Sequence, residues 1–436
     1  MASADDHDRN EWSLPPTEKL VTIPSKSTSA LEPVRSKATK TRWYDNAKEH
    51  HDEEVEIIDP DINDHDLFSG DLTLFDDHNV FYTLFLQEIP EHTPAWQRNL
   101  FLHFSQYIST EMVAIDGVHN DWRHLLLPLA QTDELVMDAV LTVSAFHFQL
   151  NKLANNLRTD SRGRSVFGIQ NVHDFYVPDP HQLCARTLKG LRQRQELAQG
   201  DQTLKHSVLV TLLLLLTAVL VTGGSDFPVL LRMLESALDA MGGKDGLGTG
   251  ILAEFIMREL HKVRVYAAPH LGEETGLEMI SSQARTAQLF GCLNHCIKQY
   301  PEHAPVFARV ADLVYQARDI YLQQVLSDQT SAFFALEPAP VTPSSVARLQ
   351  RFIETLEKVP RTSPVEHMLI WTTFVAASDC QLDEHKAYFE GVLRKHHARS
   401  GFGNLLKGIE SLRKIWSRKP GERWTLLLPE AKVLVA

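Results

Sequence analysis

Cysteine is scarce in this chain. Four thiols, Cys184, Cys292, Cys296 and Cys380, are spread over 436 residues. So few cysteines exclude a disulfide framework and point to a reducing compartment. Basic charge is also in deficit: 43 Lys and Arg stand against 56 Asp and Glu, a formal net charge of -13. Phosphate backbones are held by concentrated Lys and Arg, so most of this surface is a poor match for nucleic acid. The first residues, "MASADDHDRNEW", lack an apolar stretch and do not read as a secretory signal. Alternating runs joined by hairpin turns are missing, which argues against a sheet protein. Catalytic signatures are missing too: the sequence contains no G-x-x-x-x-G-K-[ST], no H-E-x-x-H and no G-x-S-x-G.

Long hydrophobic runs are likewise absent, with one exception. From Val208 to Val221 the chain is apolar except for Thr211 and Thr217. A spanning helix needs about 20 apolar residues, and runs of about 10–14 are more often core helices. A helix apolar on every side is one buried on every side. The run is therefore expected to be a core helix with no membrane involved, stopped by Gly223-Gly224. "SDFP" then opens the next helix, with Ser225 or Asp226 as cap and Pro228 in its first turn.

The chain divides by composition. Residues 1–75 carry Pro15, Pro16, Pro24, Pro33 and Pro60 with little apolar periodicity, and read as a disordered arm. Within it, "RSKATKTR" (Arg35 to Arg42) is basic. "EHHDEEVEIIDPDINDHD" (Glu49 to Asp66) is acidic and interleaved with Val55, Ile57, Ile58 and Ile62. The basic octet suits nuclear import or a phosphate-contacting arm. The acidic block has the bias of an activation segment, or of a plain solvating tail.

From residue 76 to 436 the pattern is all-α, a large irregular array of helices rather than a repeat of fixed period. Val136, Ala139, Val140, Val143, His147 and Leu150 share one face, after Thr132, Asp133 and Glu134 as cap and acidic first turn. Asp179-Pro180 with Gln182 forms a capping-box start, and Cys184, Leu188 and Leu191 make the stripe behind it. Thr342-Pro343 opens a helix with Val346, Leu349, Ile353 and Leu356 aligned. Ser363, Pro364 and Glu366 repeat the capping device. Helix breaks at Gly401 and restarts at Asn404, aligning Leu405, Ile409, Leu412 and Trp416. "VFGIQNV" and "TLLLPE" are at most short extended pieces. The stretches 157–180 and 337–345 read as loops.

The candidates for chemistry are few. "GGKDGLGTG" (Gly242 to Gly250) has the wrong glycine spacing for a phosphate loop and reads as a flexible connector. Cys292, His295 and Cys296 fall on one helical face, but zinc needs a second ligand pair and His303 lies past the helix end, so core packing is the expectation. The doublets His50-His51 and His396-His397 sit among polar residues and read as solvated. No catalytic, cofactor-binding or metal residue is nominated: expected sites and cofactors are none, and the chain is not expected to be an enzyme.

The order of several segments carries more information than any one of them. "FLHFSQYIS" (Phe101 to Ser109) precedes "NDWRHLLLPLAQTDELVMDAVLTVSAFH". The leucine-rich helix, "GGSDFPVLLRMLESALDAMGG" and "HMLIWTTFVAASDC…RSGFGNLLKGIESLRKIW" follow. In this order they resemble the regulatory domain of fungal zinc-cluster transcription factors. The most specific marks are Trp122-Arg123 with Leu126, Leu127, Pro128, Leu129 and Ala130, and the turn Arg399 to Asn404. The resemblance implies an all-α domain acting in the nucleus in transcriptional control, without catalysis. Family members commonly carry an N-terminal six-cysteine zinc cluster. No cysteine precedes Cys184 here, so that contact to DNA transfers to no residue of this sequence. Asp121 replaces the proline usual before the aromatic-arginine pair, which alters how that helix begins. The expected partners are therefore proteins: a homodimer or a heterodimer with a finger-bearing regulator, the transcription machinery, and a possible small-molecule effector, with DNA reached only indirectly. A helical enzyme or a scaffold with no transcriptional role is the alternative. The enzyme would need several histidines and carboxylates gathered around one cavity.

Overall fold

A computed structural model describes residues 93–158, 176–194, 200–331, 343–360, 363–419 and 422–436. The basic and acidic segments, His50-His51 and "VFGIQNV" lie outside the described residues. Those residues fall in one contact-defined unit and contain helices but no strand.

The first described helix is α1 (Ala95–His103), which widens into a π turn at Phe104–Ile108 and then tightens into a 3₁₀ turn at Ser109–Glu111. Two short helices follow, α2 (Asp121–His124) and α3 (Leu126–Thr132), then the long α4 (Glu134–Arg158). Asp133, rather than Thr132, caps α4: its Oδ1 accepts from the Leu135 and Val136 amides at 2.8 and 3.4 Å. The side chain of Thr132 turns back to the Leu129 carbonyl. The carboxylate of Asp133 also receives a two-pronged contact from Arg194, at 2.6 and 2.8 Å, which ties the end of α5 (Pro180–Gln193) to the start of α4.

The leucine run forms α6 (Gln202–Thr222), and every residue from Ser207 to Val221 is buried. By length and composition α6 would cross a bilayer, yet its surroundings here are other helices. It packs against α4, α7 (Phe227–Ala240), α9 (Ile251–Leu271) and α16 (Gly403–Trp416). Each fully buried Leu or Val contributes about 1.5–3 kcal/mol, so α6 is the central stabilising element. It ends at Gly223, whose amide donates to the Val219 carbonyl at 2.8 Å. Asp226 then stands at the cap of α7, with Pro228 in the first turn.

Two short pieces differ from expectation. The Gly242–Gly250 stretch is not a free connector. It contains a one-turn helix, α8 (Gly243–Gly246), followed by the fully buried Leu247. Lys205 Nζ and His206 Nε2 donate to the Gly246 and Leu247 carbonyls at 3.3 and 2.9 Å, pinning the stretch to the start of α6. Glycine spacing reports backbone freedom, and it does not reveal an apolar anchor such as Leu247. "TLLLPE" is helical rather than extended, as α17 (Trp424–Leu427) and a 3₁₀ turn at Pro429–Ala431, because Trp424, Leu428 and Val433 are buried against the helical core.

The second half stacks α10 (Glu273–Ser281) and α11 (Gln283–Gln299) on α9, and α12 (Ala304–Ser331) on α13 (Pro343–Glu357) and α14 (Ile370–Ser378). The helix after Ser363 starts later than its capping signature predicts. A 3₁₀ turn occupies Glu366–Leu369, and Glu366 binds Lys395 of α15 (Asp383–Ser400) at 2.7 Å instead of returning to Ser363. A cross-helix ion pair has displaced the local cap.

Candidate functional site: a largely apolar cavity

The site is assembled from the two turns that the sequence singles out. Asn120 caps α2 through its side chain, accepting from the Arg123 amide at 3.2 Å, while its Nδ2 donates to the Ser109 carbonyl and to Asp116. This lets Asp121 occupy the first helical position, where its carboxylate pairs with Arg258 of α9. Arg123 is 4% exposed and acts inside the protein. Its guanidinium donates to the Ser105 carbonyl at 2.8 Å and to Ser105 Oγ at 3.2 Å, and pairs with Asp116 at 2.8 Å. The π turn changes the hydrogen-bond register of the backbone there. The Ser105 carbonyl also receives Ser109 Oγ at 2.7 Å. Arg123 thus fixes an irregular segment, and Trp122 beside it meets Phe255 edge-on at 5.5 Å.

The second turn is Arg399 to Asn404. Gly401 ends α15 in the left-handed region at φ 71°. Gly403 begins α16 so close to the end of α6 that an added Cβ would lie 2.9 Å from the Val221 and Thr222 carbonyl oxygens. Asn404 is buried, and its Nδ2 donates to the Leu434 carbonyl at 3.0 Å, drawing in the segment Val433–Val435. A pair of histidines ties this turn to α1. His147 Nε2 donates to the Ser400 carbonyl at 2.7 Å, which leaves His147 Nδ1 to accept from His103 Nε2 at 2.8 Å. Both rings are neutral: burial, and for His103 also the neighbouring His147, lowers their pKa from 6.5 to about 3 for His103, and burial lowers it to about 4 for His147.

Between these turns lies a cavity of about 170 Å³. Leu213, Leu216 and Leu220 of α6 form one wall, and Phe255, Val263 and Tyr266 of α9 form another. Trp122, Trp371, Phe402 and Leu434 line it as well. Tyr266 and Trp371 stack at 5.4 Å. The charged residues of the lining are engaged with cations or with one another. Glu259 pairs with Lys262 at 2.7 Å, Asp121 with Arg258, and Glu111 with Arg399 at 2.7 Å. Burial raises the pKa of Glu111 against the pull of Arg399. His367 Nε2 donates to the Val113 carbonyl, and burial lowers its pKa to about 4.

Cys292, His295 and Cys296 do share a face of α11; that face lines this cavity, and Cys296 also packs against the hydrophobic core. Burial, with Cys292 nearby, pushes the Cys296 thiol up to about 11, which disfavours the thiolate that a metal requires. Among the described residues no group of three or more His, Cys, Asp or Glu is placed to hold a metal ion. His303 instead lies next to Glu302, at the 3₁₀ turn after α11. The other doublet departs from the polar reading: His396 is 2% exposed, with its pKa held near 3 by burial and by Arg399, while His397 Nδ1 donates to the Phe402 carbonyl at 3.0 Å. Local sequence around His396 is polar because α15 is polar over most of its length, and only the packing places His396 on its inward side with Phe389 and Leu393.

The family model of the fungal specific transcription factor domain matches residues 99–298 and 277–429, which together contain α1 to α17 apart from the first residues of α1. The chain belongs to this family. No curated protein and no solved structure gave a match. As a fungal specific transcription factor domain, the helical part places the chain among transcriptional regulators and outside enzyme families. The two turns that carry the resemblance, Trp122-Arg123 and Arg399–Asn404, hold the irregular backbone in place and supply Trp122, Ser400, Phe402 and Asn404 to the cavity lining.

Proposed function

We propose that this protein controls transcription in the nucleus through contacts with other proteins, and that its helical domain is the regulatory part. Family membership over residues 99–429 carries this reading. A net charge of -13 supports indirect rather than direct engagement of DNA, through a homodimer, a finger-bearing regulator or the transcription machinery. The cavity beside the two marked turns suits a small-molecule effector, and control of metabolic or biosynthetic genes fits such a sensor. The test has two arms. Fusing the full chain to an unrelated DNA-binding module should change expression of a reporter carrying that module's site, and an unaltered reporter refutes the regulatory role. In a mobility-shift assay at moderate salt the purified chain should leave random duplex DNA unshifted, and tight sequence-selective binding refutes the indirect mode.

A further inference from the structure

Besides Tyr300 Oη, on a partly exposed residue, three polar atoms on fully buried residues of the cavity wall have no hydrogen-bond partner: Trp122 Nε1, Trp371 Nε1 and Asn404 Oδ1. Their residues are 2%, 2% and 1% exposed. Buried donors and acceptors are nearly always satisfied, so three orphans around one space require a cause. Repacking does not supply it. Asn404 is held by its other amide atom on the Leu434 carbonyl, and Trp371 is held flat against Tyr266. The remaining lining is largely aliphatic and aromatic, with Cys292, His295, Cys296 and Gln299 along α11, and its carboxylates are each matched by a cation. A charged guest would lose its hydration without gaining a free counter-charge, whereas a neutral one suits the site. At about 170 Å³ the space is slightly larger than the roughly 150 Å³ cavity that admits benzene.

We propose that this cavity binds a neutral single-ring molecule with one short polar substituent, which accepts from the indole N–H of Trp122 or Trp371 and donates to Asn404 Oδ1. This rests on the regulatory reading only in naming the guest as the effector; the binding itself is independent of it. Benzamide has the required shape, with a ring, a carbonyl acceptor and an amide donor.

The test is a benzamide titration of the full chain, following the indole N–H resonances of its seven tryptophans. Trp122→Phe and Trp371→Phe assign two of them. Saturable shifts confined to those two signals are expected. Loss of one indole donor should weaken benzamide about two- to tenfold and leave toluene binding unchanged, the usual effect of one neutral hydrogen bond. Val263→Phe fills the space from α9 and should abolish binding while the protein stays folded, and Leu216→Phe does so from α6. No shifts at millimolar benzamide, equal shifts in all seven signals, or binding retained in both folded filling variants would overturn the proposal and leave the cavity to water. Absent binding with an active tethered reporter sinks the ligand alone. Saturable binding with a silent reporter upholds the ligand and removes only its role as effector.

Discussion

Lowering the pH from about 7 to about 5 should remove most of the stability of this domain, and the cause is buried histidine. His147, His270 and His396 are 2%, 3% and 2% exposed, and burial lowers their pKa values to about 4, about 4 and about 3. His103 and His367, half-buried, are held at about 3 and about 4. In the unfolded chain each titrates near 6.5, so the unfolded state binds more protons at every pH between 6.5 and the folded value. The sign follows: this stabilisation is complete above pH 6.5 and is lost as the pH falls towards 4. At about pH 5 each ring costs about 2 kcal/mol, or about 6 kcal/mol for the three fully buried ones and about 10 kcal/mol for all five. A domain holds about 5–15 kcal/mol in total. Glu111, Asp138 and Asp379, whose pKa values burial raises, oppose the trend at lower pH, where their neutral forms favour the fold. Urea unfolding at a series of pH values, with proton uptake measured by calorimetry, checks the argument. Uptake of at least three protons on unfolding near about pH 5 is expected. Free energies that agree within about 1 kcal/mol between about pH 7 and about pH 5 would refute it, because the rings would then be titrating in the fold. His270 isolates the effect, since neither ring nitrogen has a partner and it sits between Phe227 and Phe374. His270→Leu should return about 2 kcal/mol of the acid loss.

Replacing Arg123 by Met leaves Asp116 without its buried cation and the π turn unclamped. A loss of about 3–5 kcal/mol in chemical denaturation is expected, and a loss under about 1 kcal/mol would show the clamp to be dispensable. Gly401→Ala forces a side chain into the left-handed region and places its Cβ 2.2 Å from Asn151 Oδ1. It should cost at least about 1–2 kcal/mol, and adding Asn151→Ala should recover only the part due to the clash, as a double-mutant cycle will report. Leu214→Ala, at a fully buried position of α6, should lower stability by about 2–5 kcal/mol with the helical circular dichroism retained. A near-neutral result would mean that the α6 surroundings are loosely packed.

Much of the helical architecture was legible in the residues because helices are specified locally. The stripe Val136, Ala139, Val140 and Val143 is fully buried as its spacing requires, and Leu405, Ile409 and Leu412 are buried on α16 in the same way. The length and all-round greasiness of the Val208–Val221 run predicted a core helix, and that is where it lies. Resemblance drew attention to Trp122-Arg123 and Arg399–Asn404 without saying what they do. The cap of α4 passed to Asp133 because Arg194, far along the chain, holds the same carboxylate. Glu366 left its expected cap for Lys395 for a similar reason.

By itself, then, the sequence determined which segments are helical, where most of them stop, and that the leucine run is hidden. Those properties depend on periodicity, capping residues and glycine, all within one or two turns of chain. Tertiary structure alone decided that Asn404 meets Leu434, that His103 meets His147, and that two tryptophans far apart in the chain face one cavity. A cavity is the space left over when many helices fail to fill a volume together, and no local pattern of residues encodes that remainder.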